Sequence, residues 1–258
     1  NQHKVHFPKL VKEIISKSDI VLEILDARFF EKTRNPDFEK MVHGFRKKLI
    51  FVFNKSDLVD INDLKIKIEK SELKPYSILS CKNHEGMSKL RNLIKMEAKK
   101  LNLGREAYVG VIGYPNTGKS SIINFLVGRH VARTSRESGF TKGVMQVKLS
   151  PSLFVLDSPG IIPEAEYSPA RNFLAKHIEI GVRTYVKIKN PDMYVLTLMN
   201  QHPGVFEKFY NIDAKGDPEI LIERLGRKWN CLIKGNLVDI DRVARLIIKD
   251  WQDGKIRV

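Results

Sequence analysis

The chain has 258 residues, 42% of them hydrophobic, enough for a domain of moderate size and a smaller one with real cores. No apolar run approaches the roughly 18 residues of a membrane-spanning helix. The start, NQHKVHFPKL, has no apolar signal core, and Cys81 and Cys231 lie far apart in no metal-like spacing. Both features lead us to expect a reducing, cytoplasmic setting. The formal charge of +15 at pH 7 favours a polyanionic partner, nucleic acid before membrane. The basic residues are spread along the chain, so a solvated basic surface is the alternative.

Taken in order, residues 9–19 place Leu10, Val11, Ile14 and Ile15 at helical spacing. Ile20-Val-Leu-Glu-Ile-Leu25 then reads as a buried strand that ends in Asp26-Ala-Arg28, and a loop with Arg34-Asn35-Pro36 leads into a helix through about Gly44. A second buried strand, Leu49–Phe53, runs into Asn54-Lys55-Ser56-Asp57. An N-K-x-D run at a strand end has a chemical reading. The aspartate can accept from both N1–H and the N2 amino group of guanine, whereas adenine offers no such pair of donors. Asn54 would brace the loop and touch the base, and the Lys55 stem would cover the ring. Taken alone, the run is also an ordinary polar turn.

Residues 61–72 form a charged helix, and Pro75–Leu79 a third strand leading to Ser80-Cys81-Lys82. A loop containing His84, an exposed histidine in our reading, precedes a helix over Met87–Leu101. Beyond the link at 102–107 comes a strand from Tyr108 to Ile112 and then Gly113-Tyr-Pro-Asn-Thr-Gly118-Lys119-Ser120. This matches G-x-x-x-x-G-K-[ST] at every fixed position, and a helix follows from Ser121. Strand, glycine loop and helix are the context in which the pattern has a mechanism. Backbone N–H groups from Asn116 through Ser121, Thr117 and Gly118 included, line an anion nest at a helix N-terminus. Lys119 would reach the β- and γ-phosphates, and the Ser120 hydroxyl would bind Mg²⁺.

A polar stretch, Arg133–Thr141, offers Thr141 as a second Mg²⁺ ligand. Strands over Val144–Leu149 and Leu153–Leu156 lead to Asp157-Ser-Pro-Gly160. There Asp157 would hold Mg²⁺ through water, and the Gly160 N–H would sense a γ-phosphate. Ile161 follows, where a water-orienting glutamine would stand in a Ras-type protein. Hydrolysis should therefore be slow and should rest on Lys119, Thr141, Gly160 and Mg²⁺. Asn116 either ligates a K⁺ near the β,γ-bridge or merely shapes the loop. Residues 164–190 read as a linker or crossover. Short helices are expected at Asp192–Met199, Gly204–Tyr210, Pro218–Trp229 and Asp239–Trp251. In the last, Ile240, Val243, Ile247 and Trp251 share a core face, while Arg242, Arg245 and Lys249 lie off it, either solvated or on RNA.

These are the boxes of a Ras-like GTPase in rotated order, with N-K-x-D and the S-A-K-like Ser80-Cys81-Lys82 ahead of the phosphate loop. In such proteins the triplet gives a backbone N–H to guanine O6. The chain resembles the circularly permuted GTPases, and among them the YlqF/RbgA group, over nearly its whole length. The resemblance includes Phe7-Pro8, Asp26-Ala-Arg28, Arg34-Asn-Pro36 and a tail pattern from Ile222-Glu-Arg-Leu-Gly226 to Asp250-Trp-Gln-Asp-Gly254-Lys255. It implies an α/β GTPase domain over 1–165 and a small all-α, RNA-binding domain over 166–258. It further implies assembly of the large ribosomal subunit, contact with its rRNA, GTP or GDP with Mg²⁺, and a monomer off the ribosome. Bacterial members follow the early Phe-Pro with Gly-His-Met and its hydrolytic histidine. Lys9-Leu10 stand here instead, so no catalytic histidine carries over. The rivals from other classes are a P-loop kinase or ATPase for a small molecule, and an RNA-binding module with a structural nucleotide site.

Overall fold

The computed structural model describes residues 7–127, 145–157, 162, 166 and 171–257. The chain forms two compact units, Asn1–Tyr167 and Ser168–Val258.

The first unit is built on six strands: β1 (Ile20–Asp26), β2 (Lys48–Asn54), β3 (Tyr76–Ile78), β4 (Ala107–Gly113), β5 (Met145–Ser150) and β6 (Leu153–Asp157). Their spatial order is β3-β2-β1-β4-β6-β5. Every neighbouring pair is parallel except β5 with β6. The β1 side chains alternate between two cores, as a strand covered on both faces must. Val21 and Leu25 pack with Leu10, Val11, Ile14 and Ile15 of α1 (Phe7–Lys17), Phe38 and Val42 of α3 (Pro36–Gly44), and Leu64 and Ile68 of α4 (Ile61–Lys70). Ile20, Leu22 and Ile24 pack instead with Met87, Leu90 and Ile94 of α5 (Met87–Leu101) and Ile122, Ile123 and Leu126 of α6 (Lys119–Val127). The short α2 (Phe30–Thr33) closes the turn out of β1. The result is a helix–sheet–helix sandwich with every strand expectation realised to within a residue or two.

The chain enters this sheet at its middle. It fills one side with β2 and β3, returns beside β1 with β4, and fills the other side with β6 and β5. A clasp secures the return: Arg105 donates from Nη1 and Nη2 to the Asp19 carboxylate at 2.9 and 2.8 Å, and Asp19 also accepts the Tyr108 N–H at 2.9 Å.

The second unit holds α7 (Arg171–Glu179), α8 (Pro191–Gln201), α9 (Val205–Tyr210), α10 (Pro218–Lys228) and α11 (Ile240–Gln252). Val195, Leu198, Phe206, Leu221, Leu225, Val243, Ile247 and Trp251 are its buried core. Four features depart from the expectation. Residues 171–179 are helical although they read as linker, because buried His177 and Glu179 break the apolar pattern. A small antiparallel hairpin, β7 (Leu232–Ile233) with β8 (Leu237–Val238), interrupts the helices. Ile240 is 55% exposed, because α11 begins there and its first turn overhangs the core. Arg245 likewise does not stand clear on a basic face: its guanidinium binds Asp241 and donates to the Tyr185 and Val186 carbonyls.

Candidate nucleotide site

In an open α/β sheet the ligand crevice lies beyond the carboxyl ends of the strands, where the strand order reverses. Here that point falls between β1 and β4, whose successors diverge to opposite sides. The register sets Asp26 beside Asn54, Ile24 beside Gly113, and Val111 beside Asp157, so the expected boxes open on one edge.

Between β4 and α6 the chain makes a tight loop. The Thr117 hydroxyl donates to the Tyr114 carbonyl at 2.9 Å, and the Ile122 N–H donates to the Gly118 carbonyl at 2.9 Å as the first helical bond. Asn116 and Gly118 both take positive φ, 62° and 100°, which turns successive N–H groups to a common side. Gly118 has a second reason to be glycine, because a Cβ there would strike the Asn54 amide. Lys119 is only 6% exposed, and its ammonium donates across the loop to the carbonyls of Gly113 (3.0 Å) and Tyr114 (2.6 Å). Burial pulls its pKa down to about 8, against the opposing pull of Asp157. Ser120 and Ser121, by contrast, are exposed at the first turn of α6.

Asn54 joins the three loops. Its amide donates to the Thr117 carbonyl at 2.8 Å, and its side-chain oxygen accepts the Cys81 N–H at 3.2 Å. Lys55 then takes a left-handed conformation (φ 65°, ψ 34°), which swings Ser56–Leu58 into a short 3₁₀ turn. There the Ser80 hydroxyl donates to Asp57 at 2.6 Å while accepting the Asn83 N–H at 3.1 Å, which orients the carboxylate. Lys82 stands 4.0 Å from Asp57 with its side chain 74% exposed, a contact worth little in water. Cys81 is half-buried, and burial pushes its thiol up to about 11, so it is inert at neutral pH. His84 is exposed, its ring 5.2 Å from that of Phe125.

Asp57, Ser80, Cys81, Asn54, Thr117, Gly118, Lys119 and Asp157 are thus brought to one crevice. Thr141, Gly160 and Ile161 lie outside the described residues. Among the described residues no group of three or more His, Cys, Asp or Glu could hold a metal. The donors that do fit a hard cation are the exposed Ser120 hydroxyl and the Asp157 carboxylate, on adjacent elements, with phosphate oxygens completing a shell. Sequence reasoning missed the Asn54 bridge to Thr117 and a bond of 2.7 Å from the Tyr114 hydroxyl to Glu166. Both join residues more than fifty positions apart, and neither leaves a local pattern.

A sheet with this strand order, and with N-K-x-D preceding the phosphate loop, defines a GTPase fold of permuted connectivity. Residues 108–221 match the family model described as 50S ribosome-binding GTPase. An uncharacterised GTP-binding protein of Methanocaldococcus jannaschii is 35% identical over 257 residues, covering 98% of this chain and 66% of that protein. Nucleolar GTP-binding protein 2 of Neurospora crassa is 33% identical over 95% of this chain and 40% of its own length. Among solved structures, YlqF from T. maritima, in a GNP-bound form, superposes with a TM-score of 0.65 at 26% identity, covering 96% of this chain and 94% of that one. The chain belongs to the circularly permuted GTPases of the YlqF type. It spans between two-fifths and two-thirds of the length of the curated relatives it matches.

Proposed function

We propose that this chain binds GTP and GDP with Mg²⁺, hydrolyses GTP slowly, and works as an assembly factor on the large ribosomal subunit and its rRNA. The observation that carries the nucleotide reading is the convergence on Asn54. One side chain ties the N-K-x-D strand to the phosphate loop and to the Ser80–Lys82 loop, while Ser80 aims Asp57 at the crevice. Asp57 would take both guanine donors, and the Cys81 N–H, which donates to Asn54 Oδ1 here, would be offered to O6. ATP would bring no pair of N–H donors to a carboxylate that is only 10% exposed, at a cost of about 1–3 kcal/mol or more.

The nest around Asn116–Ser121 takes the phosphates. Lys119 would turn from its carbonyl partners to the β- and γ-oxygens, and Ser120, Thr141 and Asp157 would hold Mg²⁺, Asp157 through water. When bound, the metal neutralises charge on the phosphates. With Ile161 unable to orient water, the chain relies on charge at the β,γ-bridge. A K⁺ held by Asn116 would supply what an arginine finger supplies elsewhere. The ribosomal partner is supported by the matched family's description and by the net charge. The Tyr114–Glu166 bond supports nucleotide control, because it ties the phosphate loop to the segment that continues from Asp157 into the helical unit.

The test is nucleotide affinity and turnover. GTP and GDP should bind at least about tenfold more tightly than ATP, and Asp57→Asn should move the preference to xanthine nucleotides. Turnover should be faster in K⁺ than in Na⁺, a difference lost in Asn116→Ala. Equal affinity for ATP and GTP in the unaltered protein would sink the guanine assignment. Equal rates in both salts would remove potassium from the mechanism.

A further inference from the structure

Asp26-Ala-Arg28 closes β1 at the rim of the crevice, and nothing in phosphate or base chemistry alone calls for it. The Asp26 side chain is wholly buried and ringed by donors. Oδ1 accepts the Arg28 N–H at 3.1 Å and Arg28 Nε at 3.0 Å. Oδ2 accepts Arg28 Nη2 and the Lys55 ammonium, each at 2.8 Å. Burial alone would raise the Asp26 pKa, but the bonds and charges of Arg28 and Lys55 outweigh it and hold the carboxyl below the usual range. It is therefore an anion at any pH where the protein works.

Two of these three residues are fixed from behind. The Asp26 N–H donates to the buried Thr33 hydroxyl at 3.2 Å, and the Arg28 guanidinium lies 5.1 Å from the Phe29 ring with its side chain 5% exposed. Lys55 is the looser member, 24% exposed, on a left-handed backbone at the mouth of the guanine loop. A lysine so placed has several rotamers, most of them pointing to water. The carboxylate selects one. We propose that Asp26 and Arg28 are positioning residues for Lys55: the anion, itself oriented by the arginine, pins the ammonium so that the lysine stem is already laid where the purine ring arrives.

This inference rests on the guanine-site reading and goes beyond it. It assigns a preorganising role to a pair that does not touch the nucleotide. A pinned lysine has lost its side-chain freedom before binding, so the nucleotide does not have to order it. The stem meets the ring face, which all purines share, whereas discrimination lies at the edge read by Asp57. Loss of the pin should therefore weaken GTP and GDP by the same factor and leave the GTP-to-ATP ratio unchanged.

The experiment is a double-mutant cycle on release of methylanthraniloyl-labelled GDP from the full chain. Asp26→Asn keeps the shape and removes the charge, which leaves Arg28 and Lys55 facing each other as like charges. Release should quicken about tenfold. Lys55→Met keeps a stem and loses the head, and should quicken release similarly. Adding Asp26→Asn to Lys55→Met should then change release less than about twofold, because the pin is already gone. If Asp26→Asn fails to fold, Arg28→Gln takes its place in the same cycle. Unaltered release in the single variant, undiminished effect in the Lys55→Met background, or a shifted GTP-to-ATP ratio would each overturn the proposal. Failure of the guanine reading looks different: Asp57→Asn would then not turn the protein toward xanthine nucleotides, whatever Asp26 does.

Discussion

Lys119 shows how much one buried charge decides. Its pKa lies near 8, against 10.5 for an ordinary lysine, because burial opposes its charge. Between those values the unfolded chain binds more protons than the folded one, so this residue makes the fold gain stability as pH rises through that window. At neutral pH the buried ammonium is a net cost, and the loop carbonyls of Gly113 and Tyr114 offset only part of it. A polyphosphate supplies the missing counter-charge and should return the pKa toward its ordinary value. Binding then takes up a proton once the pH nears 8. GDP affinity should be flat below about pH 7 and fall above pH 8, by up to tenfold per unit. Calorimetry in buffers of different ionisation enthalpy reads that proton directly. A flat profile to pH 9.5, or an unchanged profile in Lys119→Met, would remove Lys119 from the phosphate site. The fixed-position residues of the phosphate loop were legible in the sequence because loop geometry dictates their spacing. Tyr114 was not, since its partner Glu166 is set by folding of the chain and not by the loop.

At the level of elements, legibility followed burial. β1, β2 and β4 are covered on both faces and read as largely apolar runs, β1 being interrupted by Glu23, which is buried and accepts the Asn35 N–H at 2.8 Å. α7 did not read, because two of its buried positions are polar: Glu179 meets the His202 ring at 3.1 Å, and the Glu179 carbonyl accepts Trp251 Nε1 at 2.9 Å. Such pairs satisfy a core and disguise it. The hairpin of the second unit escaped for another reason. Its strands are two residues long, and Val238 packs so closely on Gly226 of α10 that a Cβ there would collide with the valine. Gly226→Ala gains helix propensity worth up to about 1 kcal/mol but overpacks this contact at about 1–3 kcal/mol. The expected net is a loss of up to about 2 kcal/mol, seen as a lower unfolding midpoint with GDP affinity unchanged. An alanine variant more stable than the parent would show that the hairpin does not depend on that fit.

For the whole molecule, the charge of +15 and the permuted order are the properties that matter. Association with large ribosomal particles should weaken steeply with salt, as phosphate contacts require. It should also differ between a non-hydrolysable GTP analogue and GDP at matched salt. The particle must then shift the GTP-to-GDP preference of the protein by the same factor, since coupling free energy is reciprocal. Equal particle affinity in both nucleotide states would mean that the Tyr114–Glu166 link carries no signal. The permutation also sets the order in which the site comes into being. During synthesis the Asn54–Asp57 and Ser80–Lys82 loops leave the ribosome well before the phosphate loop, because Asn54 precedes its partner Thr117 by 63 residues. Until β4 has been made, one edge of β1 is unpaired, and no nucleotide can bridge base and phosphate contacts. On the proposed nucleotide reading, a nascent chain would carry half a site that retains no ligand, and the first nucleotide it keeps would mark the moment its central strand is seated.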